Sequence, residues 1–326
     1  MRLWIAIVIG AAALTGHLLL RPTRGQSLAG SLQSPTAPRG HAEFQAELAR
    51  LEASGLKLTE ALETSLDGAR NHLAGVFQRE RPKDPRESFE FRIIEADNGV
   101  SKTIFRRTEF FFSFPKATDI SKLNGADINR DGLKEIIVQS SSGGNCWSCN
   151  PAEIYQVRDH AARLIAACPL QRIADLNGDG VAELLVTDTR WEVYEDLSHA
   201  AAPSATMVYA WQAAAGGRYV YASGDFADFY KSEADRLRGL VAEAKAEITA
   251  DEFSDEAYIG RAISLAITLA HSGDADRGVR EMEALLNAAQ RSPEQARKRA
   301  RIIEDFRRGE SSKRLREMKP GDPMQL

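Results

Sequence analysis

Two stretches, ADINRDGLKEIIV at residues 126–138 and ADLNGDGVAELLV at residues 174–186, repeat one pattern forty-eight positions apart. In each, carboxylate or amide side chains occupy alternate positions, then a glycine follows, and an aliphatic run ends the stretch. The glycine permits the backbone conformation that a sharp turn requires. A short aliphatic run bounded by a turn is typical of a buried strand. The two stretches therefore predict two oxygen-lined turns, each leading directly into a strand.

The oxygen atoms of these turns are ligands that a hard cation prefers. Ca²⁺ takes about six to eight oxygens, whereas Mg²⁺ requires a tighter octahedron and keeps more of its water. Four side chains, one backbone carbonyl and water would supply that number in each turn, so we expect one calcium ion per turn and two in total. The predicted ligands are Asp127, Asn129, Asp131, the Leu133 carbonyl and Glu135 in the first turn, and Asp175, Asn177, Asp179, the Val181 carbonyl and Glu183 in the second.

The spacing of the ligands separates these turns from an EF-hand. The last carboxylate stands at position 9 of the pattern instead of position 12, and a strand follows where an EF-hand has a helix. The arrangement D-x-N-x-D-G-x-x-E before an aliphatic run resembles the calcium loop of integrin-type FG-GAP and VCBS repeats. The resemblance covers about residues 88–226 and implies two to three blade-like units of a β-propeller, too few to close a ring.

The period of the apolar residues changes twice along the chain. Residues 41–78 carry apolar side chains at three- and four-residue steps, which predicts an amphipathic helix, either whole or broken at Gly55 or Gly68. Short runs rich in aromatic and β-branched residues predict antiparallel strands over 88–226. The helical period returns over 227–310, and a basic, polar tail follows at 311–326. The predicted fold class is α+β with segregated helices and strands.

The helical region contains a weaker resemblance. Its pattern predicts two helices joined at residues 272–274 and a third that begins at Pro293. This part resembles a tetratricopeptide-type hairpin, because Ala266 and Gly278 stand where that family keeps small residues. A single repeat cannot bury both of its faces, so a plain helix pair that caps the sheet is the alternative.

The N-terminal segment has the composition of a targeting sequence. Arg2 precedes an apolar run from Leu3 to Leu20, and a stretch rich in Gly, Ser, Pro and Thr follows. This layout is typical of a signal peptide or signal anchor at 1–21, followed by a flexible linker at 22–40. We expect an exported protein, either periplasmic or anchored in the inner membrane and facing the extracytoplasmic side.

Three cysteines fit an oxidising compartment. Cys146 and Cys149 lie in the sequence CWSC, and Cys168 stands apart, so we expect one disulfide among these three residues. Redox chemistry or half of a zinc site are the alternatives for CWSC. The sequence has no second C-x-x-C and no closely spaced histidine pair to complete such a zinc site.

The function expected from these features is non-catalytic. The formal net charge of −4 does not favour nucleic acid as a partner, and no P-loop, G-x-S-x-G or H-E-x-x-H motif is present, so we assign no catalytic residues. We expect a calcium-stabilised extracytoplasmic binding or scaffold protein. Its partner would be another envelope protein or a second copy that covers open sheet edges, with the membrane contacted through the N-terminus. The alternative is a thiol–disulfide or other enzyme that uses CWSC.

Overall fold

A computed structural model describes residues 41–116, 118–194, 197–248, 252–289 and 292–325 of the 326-residue chain. The predicted signal segment at 1–21 and the predicted linker at 22–40 lie outside the described residues. Within these ranges, no helix is both long enough and apolar enough to cross a membrane.

The described part of the chain contains twelve strands and seven α-helices, numbered here in chain order. The strands are β1 (Leu56–Thr64), β2 (Asn71–Arg79), β3 (Phe89–Asp97), β4 (Val100–Glu109), β5 (Phe111–Ser113), β6 (Glu135–Ser141), β7 (Ala152–Arg158), β8 (Ala161–Cys168), β9 (Leu170–Ala174), β10 (Glu183–Thr187), β11 (Thr206–Gln212) and β12 (Arg218–Tyr221). The helices are α1 (Gln45–Ala53), α2 (Thr118–Ser121), α3 (Ala227–Glu247), α4 (Glu252–His271), α5 (Ala275–Ala288), α6 (Pro293–Arg308) and α7 (Glu310–Leu315).

The strands form three four-stranded sheets in which consecutive strands pair antiparallel. Sheet 1 contains β1–β4, sheet 2 contains β5–β8, and sheet 3 contains β9–β12. Each sheet is a simple meander, the form that a propeller blade takes, and the three do not close into a barrel. The α+β class predicted from the sequence is confirmed, with one helix before the sheets and a helical region after them.

The helix predicted over residues 41–78 was wrong for most of its length. α1 ends at Ala53, and the remainder of the segment forms β1 and β2. β2 is buried on both faces, so its apolar residues do not alternate, and their spacing also fits a helix. Gly55 and Gly68 adopt φ angles of 82° and 72° at the end of α1 and in the β1–β2 turn. The β region therefore spans residues 56–221, beyond the predicted boundary at 88, and its first sheet is complete.

The three sheets pack face to face in chain order, with helices on both outer faces. Phe91 and Tyr155 belong to the apolar cluster between sheets 1 and 2. Ile154 and Leu184 belong to the cluster between sheets 2 and 3. α1 covers the outer face of sheet 1 through Leu51, and α3 covers the outer face of sheet 3. Each sheet is therefore enclosed on both faces.

Burial on both faces explains the aliphatic runs that follow the acidic turns. On β6, Ile136 and Val138 face sheet 1, Ile137 faces sheet 3, and all three are fully buried. Burying a side chain of this size stabilises the fold by about 1.5–3 kcal/mol. β6 is therefore strongly held in the middle of the stack, together with the turn that precedes it.

The helical region follows its predicted outline. α4 and α5 are joined at residues 272–274, where the Asp274 side chain accepts a hydrogen bond from the Arg277 backbone N–H. α6 begins at Pro293, as predicted. The two helices of the pair approach closely at Gly278, where a Cβ atom would lie 2.5 Å from the Ala266 carbonyl oxygen. A small residue is therefore required at this position.

The segment predicted as a basic, polar tail at 311–326 packs against the protein. α7 extends into it, and residues 321–324 run along β12. The Met324 N–H donates to the Tyr219 carbonyl at 3.0 Å, and the Tyr221 N–H donates to the Asp322 carbonyl at 2.8 Å. β12 is an edge strand whose backbone groups need partners, and the C-terminus supplies them.

The contact between α4 and α5 can be tested with two glycine substitutions. Gly278→Ala should lower the free energy of unfolding by about 1–3 kcal/mol, because the added methyl meets backbone atoms of α4. Gly239→Ala is the matched control, since that exposed position in α3 has nothing within 4 Å of the added atom. It should raise stability by up to about 1 kcal/mol. Urea unfolding measures both variants, and equal effects would contradict the close approach.

Candidate metal centre

The two acidic turns occupy equivalent places in sheets 2 and 3. The first precedes β6 and the second joins β9 to β10, so Glu135 and Glu183 are the first residues of their strands. The turns lie side by side, and the Ala182 N–H in the second donates to the Ile128 carbonyl in the first at 2.8 Å. The sequence repeat is thus also a structural repeat, placed where sheets 2 and 3 meet.

The same hydrogen bonds hold both turns. In each, side-chain oxygens accept hydrogen bonds from backbone N–H groups of the same turn. The Ile128 N–H donates to Glu135 Oε2 in the first turn and the Leu176 N–H to Glu183 Oε2 in the second, both at 2.8 Å. The Gly132 N–H donates to Asp127 Oδ2 at 3.0 Å, and the Gly180 N–H donates to Asp175 Oδ2 at 2.8 Å. The Leu133 N–H donates to Asp131 Oδ1 at 3.0 Å, and the Val181 N–H donates to Asp179 Oδ1 at 2.7 Å. The predicted ligands therefore occupy corresponding positions.

The backbone also repeats. Gly132 and Gly180 have φ angles of 90° and 85°, as the sharp turn after the third oxygen ligand requires. Two residues earlier, Arg130 and Gly178 both adopt positive φ, at 56° and 79°. A left-handed conformation is unfavourable for arginine, but here the Arg130 Nη1 donates to the Asp179 carbonyl oxygen at 3.1 Å. This contact forms a second link between the turns.

The first turn brings three carboxylates together. One ligand atom from each of Asp127, Asp131 and Glu135 lies within 4.8 Å of the other two. Glu135 is fully buried, and burial, with the nearby charges of Asp127 and Asp131, raises the pKa of its carboxyl group to about 8. The ionised form of Glu135 is therefore unfavourable without a cation. This arrangement is suited to a divalent cation with oxygen ligands.

Two amide side chains complete the surroundings of this cluster. Gln156 Nε2 donates to Asp131 Oδ2 at 2.9 Å and to Glu135 Oε1 at 2.6 Å. Gln156 was not predicted, because it lies on β7 and reaches the cluster only through its pairing opposite Glu135. Asn129 is 2 % exposed, with its Oδ1 accepting from the Asp131 N–H at 3.0 Å and its Nδ2 without a hydrogen-bond partner.

The second turn is less well formed as a cation site. All residues of this turn are described by the structure. Among them, no three carboxylates bring one oxygen each within 4.8 Å of the others, as Asp127, Asp131 and Glu135 do in the first turn. Asn177 Nδ2 instead donates to Asp179 Oδ2 at 3.0 Å. Burial raises the pKa of Glu183 to about 7. By the register of β10 with β11, Ala210 stands opposite Glu183, so the second turn lacks a counterpart of Gln156.

The cysteines are arranged as one disulfide and one buried thiol. Cys146 and Cys149 are bonded in the turn between β6 and β7, and burial raises the pKa of the free Cys168 to about 12. The bonded sulfurs cannot serve as zinc thiolates. The buried Glu192 carboxylate accepts hydrogen bonds from the Trp147 N–H and from Ser148 Oγ, the latter at 3.1 Å. A carboxylate beside CWSC disfavours the thiolate that redox catalysis needs.

No protein-family model matches the chain, and a search of curated proteins finds no significant match. Membership of the FG-GAP, VCBS or tetratricopeptide-type families therefore remains a prediction from the motifs.

Calcium binding at the first turn can be tested by stability. Wild type should melt at a higher temperature in calcium than in EGTA, because binding to the folded state adds about 2.7 kcal/mol per site at a hundredfold excess over Kd. Asp131→Asn removes one charge, keeps the acceptor for the Leu133 N–H, and should abolish most of the calcium-dependent shift. Asp179→Asn should reduce the shift less, because the second turn is less converged.

The exposed Asp159, which lies in the β7–β8 turn, supplies the control. Asp159→Asn should retain the full calcium shift, since asparagine tolerates the left-handed backbone found there. Scanning calorimetry of the four proteins in both buffers makes the comparison. Identical wild-type melting temperatures in calcium and in EGTA would mean that the turns bind no calcium.

Proposed function

We propose that the chain is a non-catalytic, calcium-stabilised binding module that acts on the extracytoplasmic side of a membrane. The observation that carries the proposal is the convergence of Asp127, Asp131 and Glu135 beside a second turn with the same hydrogen bonds. Calcium would be held in the first turn by these carboxylates, Asn129 Oδ1 and the Leu133 carbonyl. In the second turn it would be held by Asp175, Asn177, Asp179, the Val181 carbonyl and Glu183.

The ions would act by neutralising charge where two sheets meet. Glu135 begins β6, whose next three residues are buried against sheets on both sides. The direct hydrogen bond between Ala182 and Ile128 joins the two turns, so ordering one favours order in the other. Extracellular modules bind calcium with a Kd of about 10⁻⁴–10⁻³ M, which suits such a site to an exported protein.

The proposed partner is another envelope protein. The outer faces of sheets 1 and 3 are covered by the chain's own helices, and the edge of β12 is covered by its own C-terminus. A partner would therefore contact the turns or the other sheet edges. If calcium orders the turns before the partner binds, the complex forms with a smaller loss of conformational entropy. The affinity for the partner would therefore depend on calcium.

The alternative of thiol–disulfide chemistry gains no support from the geometry of CWSC. The motif lies in a turn between β6 and β7, and neither cysteine belongs to a helix. Glu192 places a carboxylate beside it. We therefore assign the disulfide a structural role.

Calcium dependence of a defined complex tests the proposal. The tagged chain is crosslinked in intact envelopes, purified in calcium or in EGTA, and its crosslinked partner identified by mass spectrometry. The complex should form in calcium and be lost in EGTA and in the Asp131→Asn/Asp179→Asn double variant. It should persist in the Cys146→Ser/Cys149→Ser control. A complex that survives EGTA but disappears with the cysteines would instead support thiol chemistry.

A further inference from the structure

A second cluster of metal-ligating side chains lies in sheet 1. Asp67 is in the β1–β2 turn, His72 is on β2, and Glu95 is on β3, with one ligand atom of each within 4.8 Å of the others. His72 and Glu95 stand directly opposite each other in the β2–β3 register. Both side chains are fully buried. Glu95 lies 23 residues beyond His72 in the sequence, and no motif marks the three residues.

Two atoms of this cluster face each other without a hydrogen-bond partner. His72 Nε2 and Glu95 Oε2 are buried, unpartnered and 3.6 Å apart. That separation is too long for a hydrogen bond. Two ligand atoms that bind one tetrahedral zinc ion, a nitrogen at about 2.0–2.1 Å and a carboxylate oxygen at about 2.0–2.2 Å, lie about 3.3–3.5 Å from each other. The gap between the two side chains is therefore within about 0.3 Å of the separation that a shared zinc ion requires.

The other ring nitrogen of His72 favours the same conclusion. Nδ1 lies 3.1 Å from the Arg70 carbonyl oxygen and 3.3 Å from the Leu66 backbone nitrogen. If Nδ1 donates to Arg70, the lone pair of Nε2 points at a carboxylate oxygen, which is repulsive without a cation between them. If Nδ1 accepts from Leu66, the Nε2 proton has no acceptor in reach. Donation of Nδ1–H to a backbone carbonyl is the usual support for a metal-bound histidine.

The remaining oxygen of Glu95 connects the cluster to sheet 2. Oε1 lies 2.7 Å from His160 Nδ1, in the β7–β8 turn, and 3.4 Å from the mostly exposed Lys102 Nζ. Asp67 accepts a hydrogen bond from Arg70 Nη1 through Oδ2 at 2.7 Å, and from the Ala69 and Arg70 N–H groups through Oδ1, both at 2.9 Å. A carboxylate has about four acceptor positions, so each group can keep these bonds and still contribute a ligand atom. His160 is then an outer partner that orients Glu95.

We propose that Asp67, His72 and Glu95 form a zinc site within sheet 1, independent of the acidic turns, whose Glu95 ligand is oriented from sheet 2 by His160. One imidazole with two carboxylates is a donor set for a borderline metal ion such as Zn²⁺, whereas Ca²⁺ takes oxygen ligands only. Three protein ligands leave the fourth tetrahedral position to water.

Zinc titration of the full chain tests this site. Calorimetry is run with calcium in saturating excess, so that the acidic turns do not compete for zinc. Wild type should bind one zinc ion per chain, and His72→Gln and Glu95→Gln should each weaken binding at least 10- to 100-fold, the range found even for outer partners of metal ligands. His199→Gln is the matched control, because this exposed histidine lies outside the cluster, and it should bind zinc as wild type does. Asp131→Asn should also bind zinc normally, which separates this site from calcium binding.

A measurement on wild type alone guards against variants that fail to fold. Cobalt added to the calcium-loaded chain should give the intense visible bands of a tetrahedral site, and one equivalent of zinc should remove them. No tight zinc binding by wild type, zinc binding that survives both His72→Gln and Glu95→Gln, or a cobalt spectrum no different from that of the free ion would each overturn the proposal.

Discussion

One buried carboxylate constrains the centre of this molecule, that of Glu135, the first residue of the central strand β6. Glu135 is held there by the apolar packing of the three residues that follow it, and it cannot reach water. The Ile128 N–H and the Gln156 amide satisfy part of its hydrogen-bonding capacity. Burial and the charges of Asp127 and Asp131 oppose its ionisation, so a cation bound at the turn would be coupled to the packing of the stack.

Features that depend on neighbouring residues could be predicted from the sequence. The turns, β6, β10 and the helices α4 to α6 follow from alternating oxygen ligands, aliphatic runs and helical periods. β2 could not, because a strand enclosed between α1 and sheet 2 loses the alternation that identifies strands. Gln156 and the His72–Glu95 pair depend on register between strands, which no local pattern encodes.

Stacking sheets face to face creates two junctions, and ionisable groups are buried at both. Between sheets 2 and 3 the acidic turns lie side by side, joined by the Ala182–Ile128 hydrogen bond. Where sheet 1 meets sheet 2, Glu95 is placed between His72 and His160. Burying such groups without partners is costly, so each junction has to supply counter-charges. Cations at both junctions would make the stacking of the sheets depend on metal ions as well as on apolar contacts.

Hydrogen exchange of the two turns tests this coupling most directly. Peptides that cover residues 126–138 and 174–186 are followed in calcium and in EGTA, for wild type and for Asp131→Asn. Because Ala182 donates to Ile128, calcium should slow exchange in both turns of the wild type, and the substitution in the first turn should remove protection from both. Exchange in the two turns that is unaffected by calcium would contradict the account.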